Sequence, residues 1–224
     1  RIHDRDYRRS QNSVLYYLVI KLPESRDPMI LVKALKRPGL GPIDFTLTGG
    51  QAMAVMGPSG AGKSLLLRAL ADLDPSEGEV SLDGDNREAI AAPEWRKRVA
   101  YIAAESGWWA DDVGQHFEDP EAAAKLLAAV NLNEGALTWP ISRLSTGEKQ
   151  RLSLIRTLIQ KPRVLLLDEP TSALDDDSRT RVEELIRSRV ADGVSLVIVT
   201  HDRLQAERLG ARIFNLKDGR EVGS

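Results

Sequence analysis

The eight residues Gly57-Pro58-Ser59-Gly60-Ala61-Gly62-Lys63-Ser64 fit the pattern Gly-x-x-x-x-Gly-Lys-[Ser/Thr] at every fixed position. Glycines let backbone N–H groups turn inward around an anion, and a helix that starts at the loop adds positive potential through its first amides, Leu65 among them. Lys63 supplies a point charge for terminal phosphates, and the Ser64 hydroxyl is a candidate Mg²⁺ ligand. The chemistry implied is the binding of a nucleoside triphosphate. A second constellation, Val164-Leu165-Leu166-Leu167-Asp168-Glu169, is an apolar run ending in two carboxylates. Asp168 suits the same Mg²⁺, directly or through water, and Glu169 can orient an attacking water or take its proton. Both acids can serve only if the strand ends there, because neighbouring strand residues point oppositely. Pro170 agrees with that ending.

These groups need a scaffold that brings distant segments to one edge. Ile43–Leu47 and Ala52–Met56 read as strands flanking a Gly49-Gly50 turn, and Ser64–Leu73 as a helix. Glu79–Leu82 and Arg98–Ala103 are further strand candidates. Asp111–Leu132 is helix-prone with a break at Asp119-Pro120. Thr146–Gln160 and Asp177–Val190 are helices, Val164–Leu167 and Ser195–Val199 buried strands, and Arg203–Leu209 a short helix. Short apolar strands alternating with helices imply an α/β fold whose mainly parallel sheet is covered on both faces. Ligand sites in such sheets lie at the carboxyl ends of the strands.

Composition narrows the classes. Among 224 residues, Lys plus Arg is 31 and Asp plus Glu 33, a formal net charge of −2, which argues against a nucleic-acid partner held by bulk electrostatics. There is no Cys and there are three His, so disulfides, thiolate–metal sites and His-rich metal clusters are excluded. No apolar run approaches the ~20 residues of a bilayer span; a pore, if one is driven, is expected from another chain. Residues 1–28 differ from the rest and read as an N-terminal extension, an upstream start or an expression remnant, without the pattern of a signal peptide.

Leu144-Ser145-Thr146-Gly147-Glu148-Lys149-Gln150-Arg151, taken with Asp168-Glu169-Pro170-Thr171-Ser172-Ala173-Leu174-Asp175 and Thr200-His201-Asp202, resembles the nucleotide-binding subunit of an ABC transporter. The resemblance covers roughly Met29 to Gly219. It implies a P-loop NTPase core with a small antiparallel β part and a short helical subdomain, divided as 29–104 and 148–224 for the core and 105–147 for the subdomain carrying the signature motif. It implies ATP and Mg²⁺ as ligands, and ATPase activity resting on Lys63, Glu169 and His201, the last as the switch histidine that contacts the γ-phosphate. By the same resemblance Ser145, Thr146, Gly147 and Glu148 bind the γ-phosphate of ATP held by a second copy, so that the chain homodimerises around two ATP. Ser172 and Asp175 match the loop that crosses that interface. The partner implied is a separate transmembrane permease subunit, and the location is the cytoplasmic face of the inner membrane.

The local physics of those segments stands beside this reading. Ser145–Glu148 is also Ser-x-x-Glu before a helix, a capping box, and Asp175-Asp176-Asp177 suits a helix N-terminus. Three positions depart from the family pattern. Ala104 stands where a Gln is usual, with Glu105 next to it as a possible oxygen ligand. Thr146 replaces a Gly. No aromatic between Met29 and Ile43 is available to stack on adenine, which leaves Lys36 or Arg37 as a cation over the base.

About 40 residues separate Ala104 from Leu144, compact for the family and similar to small bacterial export-type subunits; the run Gly147–Arg156 also resembles a metal-exporter-like subset. Trp108 and Trp109 are adjacent in an aromatic-poor chain, and at least one is expected to line a groove for a cytoplasmic helix of the membrane subunit. Two other classes compete: a soluble non-transport ABC-type ATPase serving assembly or repair, and a small monomeric P-loop kinase. The interval between the two ATP motifs is too short for the long coiled coils of repair heads, and the Leu144–Arg151 segment with His201 argues against the kinase.

Overall fold

Alternation along three buried strands decides how the layers stack. In β3 (Ala52–Met56), β7 (Val164–Asp168) and β8 (Ser195–Val199), residues Met53, Val55, Val164, Leu166, Val197 and Val199 enter one apolar cluster. Their neighbours Ala52, Ala54, Leu165, Leu167, Leu196 and Ile198 enter another. A period of two with both phases apolar is the mark of a sheet covered on both faces. The computed structural model describes residues 29–223 and shows such a sheet. The expectation for residues 1–28 lies outside the described residues.

The main sheet runs β10-β9-β3-β8-β7-β6, with β6 at Val99–Ile102, β9 at Arg212–Lys217 and β10 at Arg220–Glu221. All pairs are parallel except β9 with β10. A second, antiparallel sheet has the order β2-β1-β4-β5, from Met29–Arg37 (β1), Leu40–Thr48 (β2), Glu77–Leu82 (β4) and Asp85–Asn86 (β5). One apolar cluster joins this sheet to helix α1 (Lys63–Leu70) and to Trp95 of α2 (Ala92–Arg98). The other joins the main sheet to α3 (Pro120–Leu127), α4 (Thr146–Leu158), α5 (Asp176–Ala191) and α6 (Arg203–Arg208).

The Gly49-Gly50 turn lies between strands β2 and β3 as expected, and it passes the chain from one sheet to the other: β2 pairs with β1, and β3 with β8 and β9. The segment 111–132 is not a helix broken once. Val113–His116 is a single 3-10 turn, α3 begins only at Pro120, and a further 3-10 turn covers Ala128–Val130. Two local causes suffice. Pro120 can occupy only the first turn of a helix, and the Asp119 side chain accepts from the Ala122 N–H at 2.9 Å to cap it there. Upstream, Asp112 bridges to Pro140 in extended geometry. Periodicity alone does not single out strands β1, β5, β9 and β10 or helix α2.

An ion triad fixes the phosphate-loop helix to the second sheet. Arg68 of α1 forks onto Asp74 through Nε and Nη2, both at 2.7 Å, and Arg37 at the end of β1 pairs with the same carboxylate. The Arg68 hydrogen bonds, with Arg37 adding to them against the cost of burial, hold the Asp74 carboxyl well below the usual carboxylate range. Arg37 is therefore committed, and Lys36 pairs with Glu77 at 3.0 Å. Either reaches a base only by sharing or leaving its carboxylate, which the exposed Lys36–Glu77 pair does more readily than the part-buried Arg37–Asp74 pair.

Candidate active site

Strand register brings the chemistry to one edge. Val55 of β3 stands opposite Val199 of β8, and Val199 opposite Asp168 of β7. The three strands thus end at one level, with β3 and β7 about 10 Å apart across β8. The phosphate loop leaves β3, Thr200-His201 leaves β8 and Glu169 leaves β7, all at the carboxyl edge, where open α/β sheets place ligands. On the far side of β7, Ile102 stands opposite Leu167, so β6 delivers Ala104 to the same edge.

The phosphate loop has the backbone the sequence demands. A Cβ at Gly57 would lie 2.0 Å from the Leu216 carbonyl oxygen, so no other residue fits against β9. Gly62 sits before α1 in the left-handed region, and α1 carries no side-chain cap and no acid in its first turn. Its positive end, with Ser64 exposed beside it, is a cradle for an anion rather than a self-satisfied terminus. Lys63 folds back so that its Nζ donates to the carbonyls of Gly57 and Pro58 at 2.8 and 2.9 Å. Among the described residues it has no carboxylate partner there to compete with a phosphate.

Asp168 is 5% exposed, and its Oδ2 accepts from the Tyr101 hydroxyl at 3.2 Å. Burial, then the Asp168 charge, pushes the Tyr101 phenol up to about 12, so it stays a donor. Among the described residues no three His, Asp or Glu side chains gather as a metal cluster. The residues that could hold a cation here are Ser64 through its hydroxyl and Asp168 through its carboxylate, hard oxygens of the kind Mg²⁺ takes.

Glu169 leaves the strand with φ 47, left-handed backbone that a non-glycine residue adopts only when its surroundings enforce it. Its N–H donates to the Val199 carbonyl at 3.1 Å, and its own carbonyl accepts from the Ser172 N–H at 3.2 Å and the Ser172 hydroxyl at 3.1 Å. This turn lets two consecutive acids serve one site, since it breaks the alternation that would send them to opposite faces. The Glu169 carboxylate lies 3.9 Å from the Nδ1 of His201, which is 78% exposed. An open cleft of about 430 Å³ is lined by both residues together with Ser172, Thr200 and Arg179.

Ser145–Glu148 folds as the capping box expected of it. The Ser145 hydroxyl accepts from the Glu148 N–H at 3.2 Å and donates to the Glu148 carboxylate at 2.9 Å, while the Ser145 N–H donates to the same carboxylate at 2.8 Å. Thr146 is exposed, and a Cβ on Gly147 would lie 2.8 Å from the Ala173 carbonyl, so the first turn of α4 rests tightly on the loop after Glu169. Neither Ser145 nor Glu148 bonds to the phosphate loop, Asp168, Glu169 or His201. Asp175 caps α5 by accepting from the Ser178 N–H at 2.9 Å.

Three supporting groups show their role only in the fold, although Gln150, Thr171 and Asp202 lie within the segments that carry the family resemblance. Tyr101 is one. Gln150 is the second, with an Nε2 that donates to both the Ala104 carbonyl and the Ser172 hydroxyl. The third is a network in which Gln205 donates to Thr171 at 2.7 Å and to the buried Glu183 at 3.0 Å, while Arg208 forks onto Glu183 and reaches Asp202. It ties the loop after Glu169 to the loop bearing His201.

Comparison with known proteins agrees with this geometry. Residues 40–172 match the family model described as ABC transporter. An aliphatic sulfonates import ATP-binding protein of Agrobacterium fabrum, SsuB 2, is 37% identical over 187 residues, 80% of this chain and 71% of that protein. The probable iron export ATP-binding protein FetA of Escherichia coli is 36% identical over 176 residues, 73% of this chain and 78% of that one. In structure, a bacterial Atm1-family ABC exporter with ATP bound matches 91% of this chain and 40% of its own with a TM-score of 0.75; at 23% identity that likeness is one of fold. With its phosphate loop, acidic strand end and signature turn on this fold, the chain belongs to the ABC transporter family, as an ATP-binding subunit with ATPase activity.

Proposed function

We propose that two copies of this chain close around two ATP molecules and drive a separate membrane-spanning subunit from the cytoplasmic face of the membrane. The observation that carries this reading is the split between two sets of phosphate-binding groups. One set lies along the carboxyl edge of the main sheet, and the other, at the start of α4, bonds to none of its members. A second copy unites them. The phosphate loop Gly57–Leu65, with Lys63, holds the triphosphate. Ser64 and Asp168 hold Mg²⁺, which when bound neutralises phosphate charge. Glu169 orients the attacking water and takes its proton, and His201 donates to the γ-phosphate. Ser145–Glu148 of each copy cover the other's nucleotide, Ser145 exchanging its Glu148 partner for phosphate oxygen. The division into a core at 29–104 and 148–224 and a helical subdomain at 105–147 follows from these roles. Sedimentation tests the closure: monomers are expected without nucleotide and dimers with Mg-ATP held unhydrolysed. A monomer under both conditions overturns it.

The membrane subunit docks on the helical subdomain. Trp109 is 72% exposed, while Trp108 packs against the core. Both lie edge-on to the buried His116, and the Arg156 guanidinium covers both rings at 4.7 and 4.9 Å. His116 in turn accepts at Nε2 from the Trp109 and Ala110 N–H groups, so the exposed indole is fixed in place. A groove of about 420 Å³ opens beside it between Phe117, Glu118, Arg156 and Ile159. A rigid indole beside a groove that mixes apolar Phe117 and Ile159 with Gln115, Glu118, Asp119, Arg156 and Gln160 is the chemistry of a docking anchor with a polar rim. Replacing both tryptophans with Ala is expected to leave ATP binding unchanged and to weaken co-purification with the membrane partner about tenfold or more. Undiminished co-purification counts against the assignment. Among the described residues no helix is long and apolar enough to cross a membrane.

A further inference from the structure

Gln150 is only 7% exposed, and its polar group is spent in an unusual way. Its Nε2 donates to the Ser172 hydroxyl at 3.2 Å and, more weakly, to the Ala104 carbonyl at 3.4 Å. A carbonyl oxygen can only accept, so the carboxamide must turn its nitrogen this way. Both N–H donors are then used. The Oε1 is left buried without a hydrogen-bond partner among the described residues. Ser172, held from behind by Gln150, passes its own hydrogen to the carbonyl of Glu169. Ala104 has only a methyl group, so its loop can be fastened at that residue only through main-chain atoms.

This arrangement makes poor sense as stabilisation. A buried bare acceptor is costly, and an apolar side chain of similar volume would fill the space without it. What only the carboxamide supplies is direction. It connects α4, the helix that begins at Ser145, to two loops at the carboxyl edge. One of these contains the left-handed residue Glu169, whose backbone needs its surroundings to hold it. We propose that Gln150 is a positioning residue for ATP hydrolysis: through Ser172 it fixes the backbone, and so the carboxylate, of Glu169, and through Ala104 it fixes the neighbouring loop. The proposal rests on the role given to Glu169 above. It makes the helix behind the signature turn mechanically continuous with the chain's own water-activating residue.

Gln150→Met in the full chain tests it. The expected result is a kcat lowered on the order of ten- to a hundredfold, as small displacements of a reacting group produce. The KM for Mg-ATP should stay within about twofold, and the Tm should hold, because methionine fills the same space without a buried polar group. Amide exchange at Ser172 should quicken as its loop loosens. Ser172→Ala should lose a similar factor, and the double variant should be no slower than the slower single one, because both act along one path. Wild-type kcat in Gln150→Met, a Tm that falls with the rate, or effects of the two substitutions that multiply would each overturn the coupling. Glu169→Gln serves as the reference. If it turns over at the wild-type rate, the role of Glu169 itself is lost; if it is slow while Gln150→Met is not, only the coupling is lost.

Discussion

Glu169→Gln is expected to bind Mg-ATP, to form nucleotide-bound dimers and to hydrolyse on the order of a hundred- to ten-thousandfold more slowly than the unaltered chain. The substitution keeps the side chain's volume and its capacity to accept a hydrogen bond, and removes the ability to take a proton. Ground-state binding is expected to be untouched, because the proposed site assigns the phosphates to Lys63 and the amides of the loop. The backbone of residue 169 is held by Val199 and Ser172 through main-chain atoms and a neighbour's hydroxyl, none of which senses the change. The loss therefore falls on kcat and not on KM, the pattern of an interaction made only in the transition state. With the bridging γ-phosphate retained, the dimer persists. Single-turnover hydrolysis measured beside sedimentation checks both halves. Wild-type turnover would show that the water is activated elsewhere, and His201, 3.9 Å from the same carboxylate, is the group to examine next.

The legibility of this chain from its residues is uneven for physical reasons. Strands β3, β7 and β8 and helices α4 to α6 emerged within a few residues, because strong apolar periodicity and obvious caps coincide there. The phosphate loop, the Asp168-Glu169 pair and the Ser145–Glu148 box were legible because each is a contiguous pattern whose chemistry requires those residue types. What escaped was non-local. Strand β1 alternates imperfectly, with register shifts after Val32 and Leu35, so its period of two is blurred. Strand β9 offers only the short alternation Phe214-Asn215-Leu216 between charged Arg212 and Lys217, and its identity depends on pairing with β3. Asp111–Leu132 has helix-forming composition overruled by Pro120 and by the bridge to residue 140. Arg37 looked free for a base because Asp74, its partner, lies 37 positions away. The same holds for Gln150 and Ser172, and for Tyr101 and Asp168, 67 positions apart. A supporting residue earns its role from what the fold places beside it, and no spacing along the chain records that.

Lys63→Ala is expected to weaken Mg-ATP binding about ten- to a hundredfold, with turnover lost at ordinary nucleotide concentrations. The estimate follows from removing charge-assisted hydrogen bonds of roughly 1.5–3 kcal/mol from a polyanion. The folded chain itself should be little affected. The ammonium sits on two carbonyls of its own loop and has no carboxylate partner among the described residues, so no buried charge there is orphaned by its removal. Alanine is also a good helix former at the first position of α1, and the left-handed Gly62 before it is unchanged. The prediction therefore separates binding from folding. Without nucleotide, Tm should match that of the unaltered chain. With Mg-ATP at a concentration that stabilises the unaltered chain by mass action, the variant should gain almost nothing. Lys63→Arg sharpens the test: it keeps the charge but replaces a compact ammonium by a planar fork where loop carbonyls and phosphates crowd one point, so affinity should be recovered only in part. Full affinity in Lys63→Ala would place the phosphates away from this loop, and the two-half-site reading would go with it, since Ser145 of a second copy would then have no γ-phosphate to meet at the sheet edge.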